Sequence, residues 1–244
     1  RGESPLDEAA ASHLPARTRE LAAHVFSPPT HTVSAEAASD CGTHKALLRL
    51  HDGLEVETVV IPMGRGGDEQ RARSTLCVSS QVGCAQACPF CATGRMGRVR
   101  SLSAEEILAQ VFEGVRLARE RGLPPVRNVV FMGMGEPLDN CEAVERSLEL
   151  ITDQRGFALS PRHVTLSTVA PSPDAVRRAA HWPARLAWSL HAADDRLRKM
   201  LVPSARHRAA ALRDAFGEVL EARPARQASL LVEATLIAGV NDGA

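Results

Sequence analysis

From Arg73 onward the chain repeats one pattern: a short β-prone run, a polar or glycine-rich exit, then a helical stretch. "STLCVSS", "RNVVFMG", "HVTLSTV", "RLAWSL" and "SLLVEATLI" read as strands, with "SAEEILAQVFEGVRLARERG", "CEAVERSLELIT", "SPDAVRRAA" and "HRAAALRDAFGEVLEA" as the helices between them. Strands separated by helices of this length join through right-handed crossovers, which commits the segment to an α/β fold with a parallel sheet. In a barrel of such units the chemistry gathers at the C-terminal strand ends. The exits there are a cysteine loop, "GMGEP", "LSTVAP" and "SLHAADD", and they are expected to converge on one mouth.

The longest helix carries its own boundary signals. Ser103 stands as N-cap with Glu106 three residues on, Gly122 follows its end, and Ile107, Leu108, Val111 and Val115 are expected to share its buried face. Upstream, "KALLRLHDGLEVETVVIP" places two alternating runs around Asp52-Gly53, which predicts a β-hairpin. The first forty residues are rich in Ala, Ser, Pro and His, with a helix expected near "ARTRELAAHVF". The organisation expected is an appendage or remnant of an accessory domain at 1–40, a hairpin or linker element at 41–72, and the main α/β unit at 73–244.

Lys+Arg and Asp+Glu both total 29, so nucleic acid would have to be bound by local patches and not by an overall field. Tyr is absent and aromatics are 3%, which argues against a base-stacking platform. No apolar run approaches the roughly 18 residues of a membrane span, and a cytoplasmic chain without membrane association is expected.

Four of the six cysteines lie between Cys77 and Cys91. Such clustering suits metal or redox chemistry better than a secreted disulfide framework. Cys84, Cys88 and Cys91 form a C-x3-C-x2-C set. Zinc would need a fourth ligand, for which Cys77 or Cys141 are candidates. An iron–sulfur cubane bound by three thiolates would instead leave one iron open.

The cysteine spacing at a first strand end, together with "TLCVSSQVGCAQACPFCATG", "VVFMGMGEPLDN", "VTLSTV" and "WSLHAADD", resembles the RlmN/Cfr family of radical S-adenosylmethionine (SAM) adenine methyltransferases. The resemblance runs from about Cys41 to the end of the chain. It implies a partial (βα)6 radical SAM barrel, about five of six βα units, preceded by a small β-hairpin element. It further implies methylation of adenosine C2 in 23S rRNA and tRNA through a [4Fe-4S] cluster and a 5′-deoxyadenosyl radical. Adenine C8 methylation, or a catalytically incomplete piece that binds cluster and RNA only, are the alternatives.

By the same resemblance Cys84, Cys88 and Cys91 hold the cluster, while Gly135, Glu136, Ser167, Ser189, Leu190 and His191 contact SAM. Glu57 is the proton acceptor, and Cys77 resolves a covalent protein–RNA intermediate. Cys41 and Cys141 are incidental. Arg71, Arg73, Arg95, Arg98 and Arg100 flank the cysteine loop and are expected to line the mouth. The implied partners are single-stranded or loop RNA and a reductase such as flavodoxin, with the enzyme acting as a monomer. The family's methyl-accepting cysteine, its sixth strand and its SAM-contacting Asn would lie beyond Ala244, and much of its N-terminal domain before Arg1. The chain is therefore expected to be a piece truncated at both ends.

Overall fold

The computed structural model of the protein describes residues 31–64 and 72–243. The helix expected near "ARTRELAAHVF" and Arg71 lie outside the described residues. One eight-stranded sheet organises the rest. Its strands are β1 (His31–Ala38), β2 (His44–Leu50), β3 (Glu55–Met63), β4 (Arg73–Cys77), β7 (Val126–Phe131), β8 (Val164–Thr168), β9 (Arg185–Ser189) and β10 (Leu230–Glu233), hydrogen-bonded in that order. β5 (Gln81–Gly83) and β6 (Arg98–Ser101) form a separate two-stranded ribbon. The helices are α1 (Ala92–Met96), α2 (Ala104–Glu120), α3 (Cys141–Thr152), α4 (Pro173–Arg178), α5 (Asp195–Leu201) and α6 (Ala209–Ala222).

β4, β7, β8, β9 and β10 are mutually parallel, as the strand–helix alternation requires. The hairpin β2–β3 turns at Asp52-Gly53, where Gly53 takes φ 82° and the Leu54 N–H donates to Asp52 Oδ1. It is not a separate element preceding the sheet. β3 pairs antiparallel with β4 from Val59↔Cys77 to Met63↔Arg73, so the sheet is mixed and the hairpin satisfies the edge that β4 would otherwise expose. β1 falls in the segment expected as an appendage and pairs with β2. Its residues are mostly exposed, which is why "HTVSAEAA" shows no apolar alternation.

α2 shows both bonds of the expected capping box: Glu106 N–H to Ser103 Oγ and Ser103 N–H to Glu106 Oε2. Its buried face, however, is rotated from the expected one. Ile107, Gln110, Val111, Gly114, Leu117 and Ala118 face the sheet, and Val115 is 42% exposed. Two non-apolar residues cause the shift. Gln110 turns inward to bond the backbone of Ser79, accepting from its N–H at 2.7 Å and donating to its C=O at 3.0 Å. Gly114 lets fully buried Leu76 approach: a Cβ there would stand 2.2 Å from Leu76 Cδ1. Gly114→Val is therefore expected to cost about 1–3 kcal/mol of stability through overpacking, read as a lower denaturant midpoint at unchanged m-value.

Arg100 on β6 ties the hairpin turn to the start of α2. It donates to Glu106 at 2.7 and 2.8 Å and to Asp52 at 2.7 Å. Burial alone would raise the Glu106 carboxyl, but bonds from Arg100 and the Ser103 N–H outweigh it and hold Glu106 below the usual carboxylate range. A depressed acid adds stability above its unfolded-state value and loses it as pH falls through its folded value. Arg100→Ala is expected to cost about 2 kcal/mol near neutral pH, a gap from wild type that narrows in melts below about pH 4.

Candidate active site

The four expected exits do meet at the C-terminal ends of the parallel strands, and side chains from each pin them together. The cysteine loop is the tip of the β5–β6 ribbon, closed by the Cys84 N–H donating to Gly97 O at 3.1 Å. Gly83 sits in the neck at φ 75°, where a Cβ would lie 1.8 Å from Gly97 O, so no side chain fits. Gln86, inside the loop, donates to Asp139 after β7 at 2.7 Å and is hydrogen-bonded to Ser204 after α5. Loop geometry is thus fixed from three directions.

Cys84 and Cys88 are buried and Cys91 half-buried. Burial, reinforced by the charges of the neighbouring thiols, pushes Cys84 up to about 11 and Cys88 up to about 12. The three sulfurs therefore lie within electrostatic reach of one another, a donor set that becomes thiolate only when a cation compensates it. As placed, no group of three or more His, Cys, Asp or Glu among the described residues is gathered to hold a metal ion.

The "GMGEP" loop lies beside them. The Gly135 backbone takes φ 101°, and a Cβ there would stand 2.6 Å from Gln81. Glu136 is 2% exposed. Its carboxylate accepts from Thr168 Oγ1 (2.5 Å), the Val169 N–H (2.9 Å) and the Leu138 N–H (2.9 Å), and its own N–H donates to Gln81 Oε1. Burial pushes this carboxyl up to about 7 despite the three donors. Among the described residues no cation pairs with it.

Ser167 and Ser189 are brought together at 3.0 Å, and both are engaged by Glu233 at the end of β10: Ser167 Oγ donates to Glu233 Oε2 at 2.6 Å. The Leu190 N–H donates to Glu233 O at 3.0 Å. His191 adopts φ 62°, accepts from the Thr235 N–H at Nδ1 (3.2 Å) and packs edge-on against Phe90 of the cysteine loop at 4.9 Å. Burial first, and the Arg198 charge second, hold its imidazole below the ordinary histidine value.

Glu57 and Cys77 share one face of the sheet, because Cys77 stands opposite Val59 and Glu57 is two residues along from it. Thr58, between them in β3, points the other way and donates to Cys77 O. Burial pushes the Cys77 thiol up to about 11. Glu57 is half-exposed and ion-paired with Lys45 at 2.8 Å.

Not all of the arginines expected at the mouth are free to line it. Arg73 opens β4, so it lies at the opposite end of the sheet, where it lines a cavity of about 420 Å³ with Arg162, His163 and Arg185. Arg100 is spent on Glu106 and Asp52. Arg95, whose guanidinium caps Pro89 O, and exposed Arg98 remain beside the cysteine loop. Ser79, Gln81, Gln86, Thr168, Arg198 and Glu233 were not anticipated. Each acts on partners 20 or more residues away, which local spacing cannot show.

The sequence matches the Radical SAM superfamily over residues 78–242. It is 42% identical over 267 residues to a dual-specificity RNA methyltransferase RlmN of Sorangium cellulosum, covering 97% of this chain and 67% of that protein. It is 45% identical over 172 residues to a ribosomal RNA large subunit methyltransferase N of Nitrosopumilus maritimus, covering 69% of this chain and 48% of the relative. The crystal structure of a radical SAM methyltransferase from Sphaerobacter thermophilus superposes with a TM-score of 0.83 at 37% identity, covering 96% of this chain and 67% of that one. The chain thus spans about half to two thirds of the length of these relatives. No helix among the described residues is long and apolar enough to cross a membrane.

Proposed function

Because the chain belongs to the radical SAM superfamily and, within it, to the RlmN family of RNA methyltransferases, we propose that it carries the cofactor-binding part of an enzyme that methylates C2 of adenosine in 23S rRNA and tRNA. One observation carries this reading: three buried or half-buried thiols, a buried carboxylate without a cation and a set of strand-end hydroxyls converge at one end of the parallel strands. The five parallel strands correspond in this reading to five of the six βα units of a radical SAM barrel.

Cys84, Cys88 and Cys91 would hold a [4Fe-4S] cluster in this account: the three thiols share one pinned loop and lie within electrostatic reach of one another, spread apart and not gathered around a single ion. With SAM bound, that group would supply the electron that cleaves the sulfonium to a 5′-deoxyadenosyl radical, with SAM as the source of the methyl group. The chain's own residues bind and orient SAM and move protons. Gly135 exposes its backbone to the methionine end of SAM, and Glu136 offers its unpaired charge to the ammonium group. Ser167 and Ser189 hydrogen-bond SAM while Glu233 holds their orientation, and Leu190 and His191 complete that wall. Glu57, ion-paired with Lys45, accepts the proton from C2. Cys77 resolves the covalent intermediate, and as a neutral thiol it must first lose its proton. Arg95 and Arg98 contact phosphates of single-stranded or loop RNA, with the base unstacked to reach the site. A flavodoxin-type reductase supplies the electron to a monomeric cytoplasmic enzyme.

Mass spectrometry of rRNA and tRNA digests from cells with and without the gene tests this directly. Loss of 2-methyladenosine on deletion is the expected result. Loss of 8-methyladenosine instead would assign the C8 reaction, and unchanged RNA would reject methylation altogether.

A further inference from the structure

Arg198 and Arg223 are both buried among the described residues, yet they spend their donors very differently. Arg223 is a structural clasp: its three nitrogens donate to the carbonyls of Ala180, Ala184 and Ala179 at 2.6–3.0 Å. Arg198, on α5, is 2% exposed and makes one bond, from Nη2 to Val169 O at 2.6 Å. Its Nε–H is buried with no partner. An orphaned guanidinium donor is costly, and it marks a place where an acceptor outside the chain is missing.

The surroundings identify that acceptor's side. Leu197 and Leu201, flanking Arg198 on α5, pack with Cys88, Phe90 and Cys91 of the cysteine loop. The negative groups in electrostatic reach of Arg198 are Asp195 and, as a thiolate, Cys88. Asp195 is exposed and engaged elsewhere, accepting from the Ala209 N–H and from Arg208. Cys88 remains. The backbone of Val169 is also bonded to opposite charges on its two sides, its N–H donating to Glu136 and its C=O accepting from Arg198. Arg198 thus lies between the Val169 backbone, held from its other side by Glu136, and the helix face that packs on the thiol loop.

We propose that Arg198 is the internal counter-charge of the metal cluster, its free N–H groups donating toward the Cys88 sulfur once that thiolate ligates iron, so that one-electron reduction becomes easier. This rests on the reading of Cys84, Cys88 and Cys91 as cluster ligands. Net charge and hydrogen bonds to the sulfurs are the levers by which a protein sets a cluster's potential. Arg198 is a positioning residue, since it acts through the cluster and not on the substrate.

The test is a redox titration of anaerobically reconstituted wild type, Arg198→Lys and Arg198→Met, followed by electron paramagnetic resonance, with iron and sulfide measured on each. At a fixed potential the reduced-to-oxidised ratio is expected to fall at least tenfold in Arg198→Met, which is about 59 mV for one electron. Arg198→Lys, which keeps the charge and loses the fork, should fall in between and serves as the readout should the Met variant fail to fold. Clusters of normal iron content with unchanged midpoints in the variants would overturn the proposal and leave the ligand reading intact. A wild type that binds no iron and sulfide would overturn the ligand reading, and the proposal with it.

Discussion

Serine in place of any one of Cys84, Cys88 or Cys91 is expected to lower bound iron and sulfide at least tenfold after anaerobic reconstitution, while Cys41→Ser and Cys141→Ser leave both unchanged. The asymmetry follows from position. Cys41 is exposed in the β1–β2 turn, bonded to Ser39 and Thr43. Cys141 opens α3 and directs its thiol to Leu138 O at 3.1 Å. Neither joins the thiol set at the tip of the β5–β6 ribbon. Thiol-to-hydroxyl replacement changes little volume but buries a hydroxyl, so the metal-free variants should melt within about 1–3 kcal/mol of wild type. Because burial keeps Cys84 and Cys88 protonated to about 11 and about 12 without metal, loading must release protons and should tighten as pH rises. Equal iron loss in Cys141→Ser would point to a four-thiolate ion site and away from an open-iron cluster.

What could be read from the sequence, and what could not, divides along the range of the forces involved. Local signals placed α3 at Cys141–Thr152 and the hairpin turn at Asp52-Gly53, because periodicity and turn chemistry act within a few residues. The buried face of α2 differs from the expected one because Gln110 and Gly114 are inward for reasons held by Leu76 on β4 and by Ser79 in the loop after it. α5 is absent from the helices expected from sequence, although Asp194 caps it by accepting from the Leu197 N–H, and Leu197 and Leu201 mark an i, i+4 face. At the site, the cysteine spacing drew attention to the thiols. Glu233, 66 residues from Ser167, and Arg198, 29 from Val169, carry no local mark at all. Arg73 lies away from the mouth because flanking the cysteines in sequence is not the same as flanking them in space: a strand of five residues separates its two end residues by ~13 Å.

Glu136→Gln is expected to weaken SAM binding to the cluster-loaded protein at least a hundredfold by calorimetry, a far larger effect than loss of one surface charge. Two costs combine. The carboxylate is the buried charge available to an ammonium group, and removing it leaves that group desolvated without a partner. The three donors aimed at its two oxygens also leave no place for an amide NH2: Thr168 and the Leu138 N–H address one oxygen and the Val169 N–H the other. One N–H must then face another. The ligand-free protein provides an independent check of sign. Burial raises the folded-state carboxyl to about 7, above its unfolded value, so this group's stabilising contribution is complete below the unfolded value and is lost as pH rises through about 7. Glu136→Gln abolishes that titration, so melts of wild type should lose stability between pH 5 and pH 8 relative to the variant. A wild-type profile parallel to that of Glu136→Gln would show that a cation already compensates the carboxylate, and the ammonium assignment would fall with it.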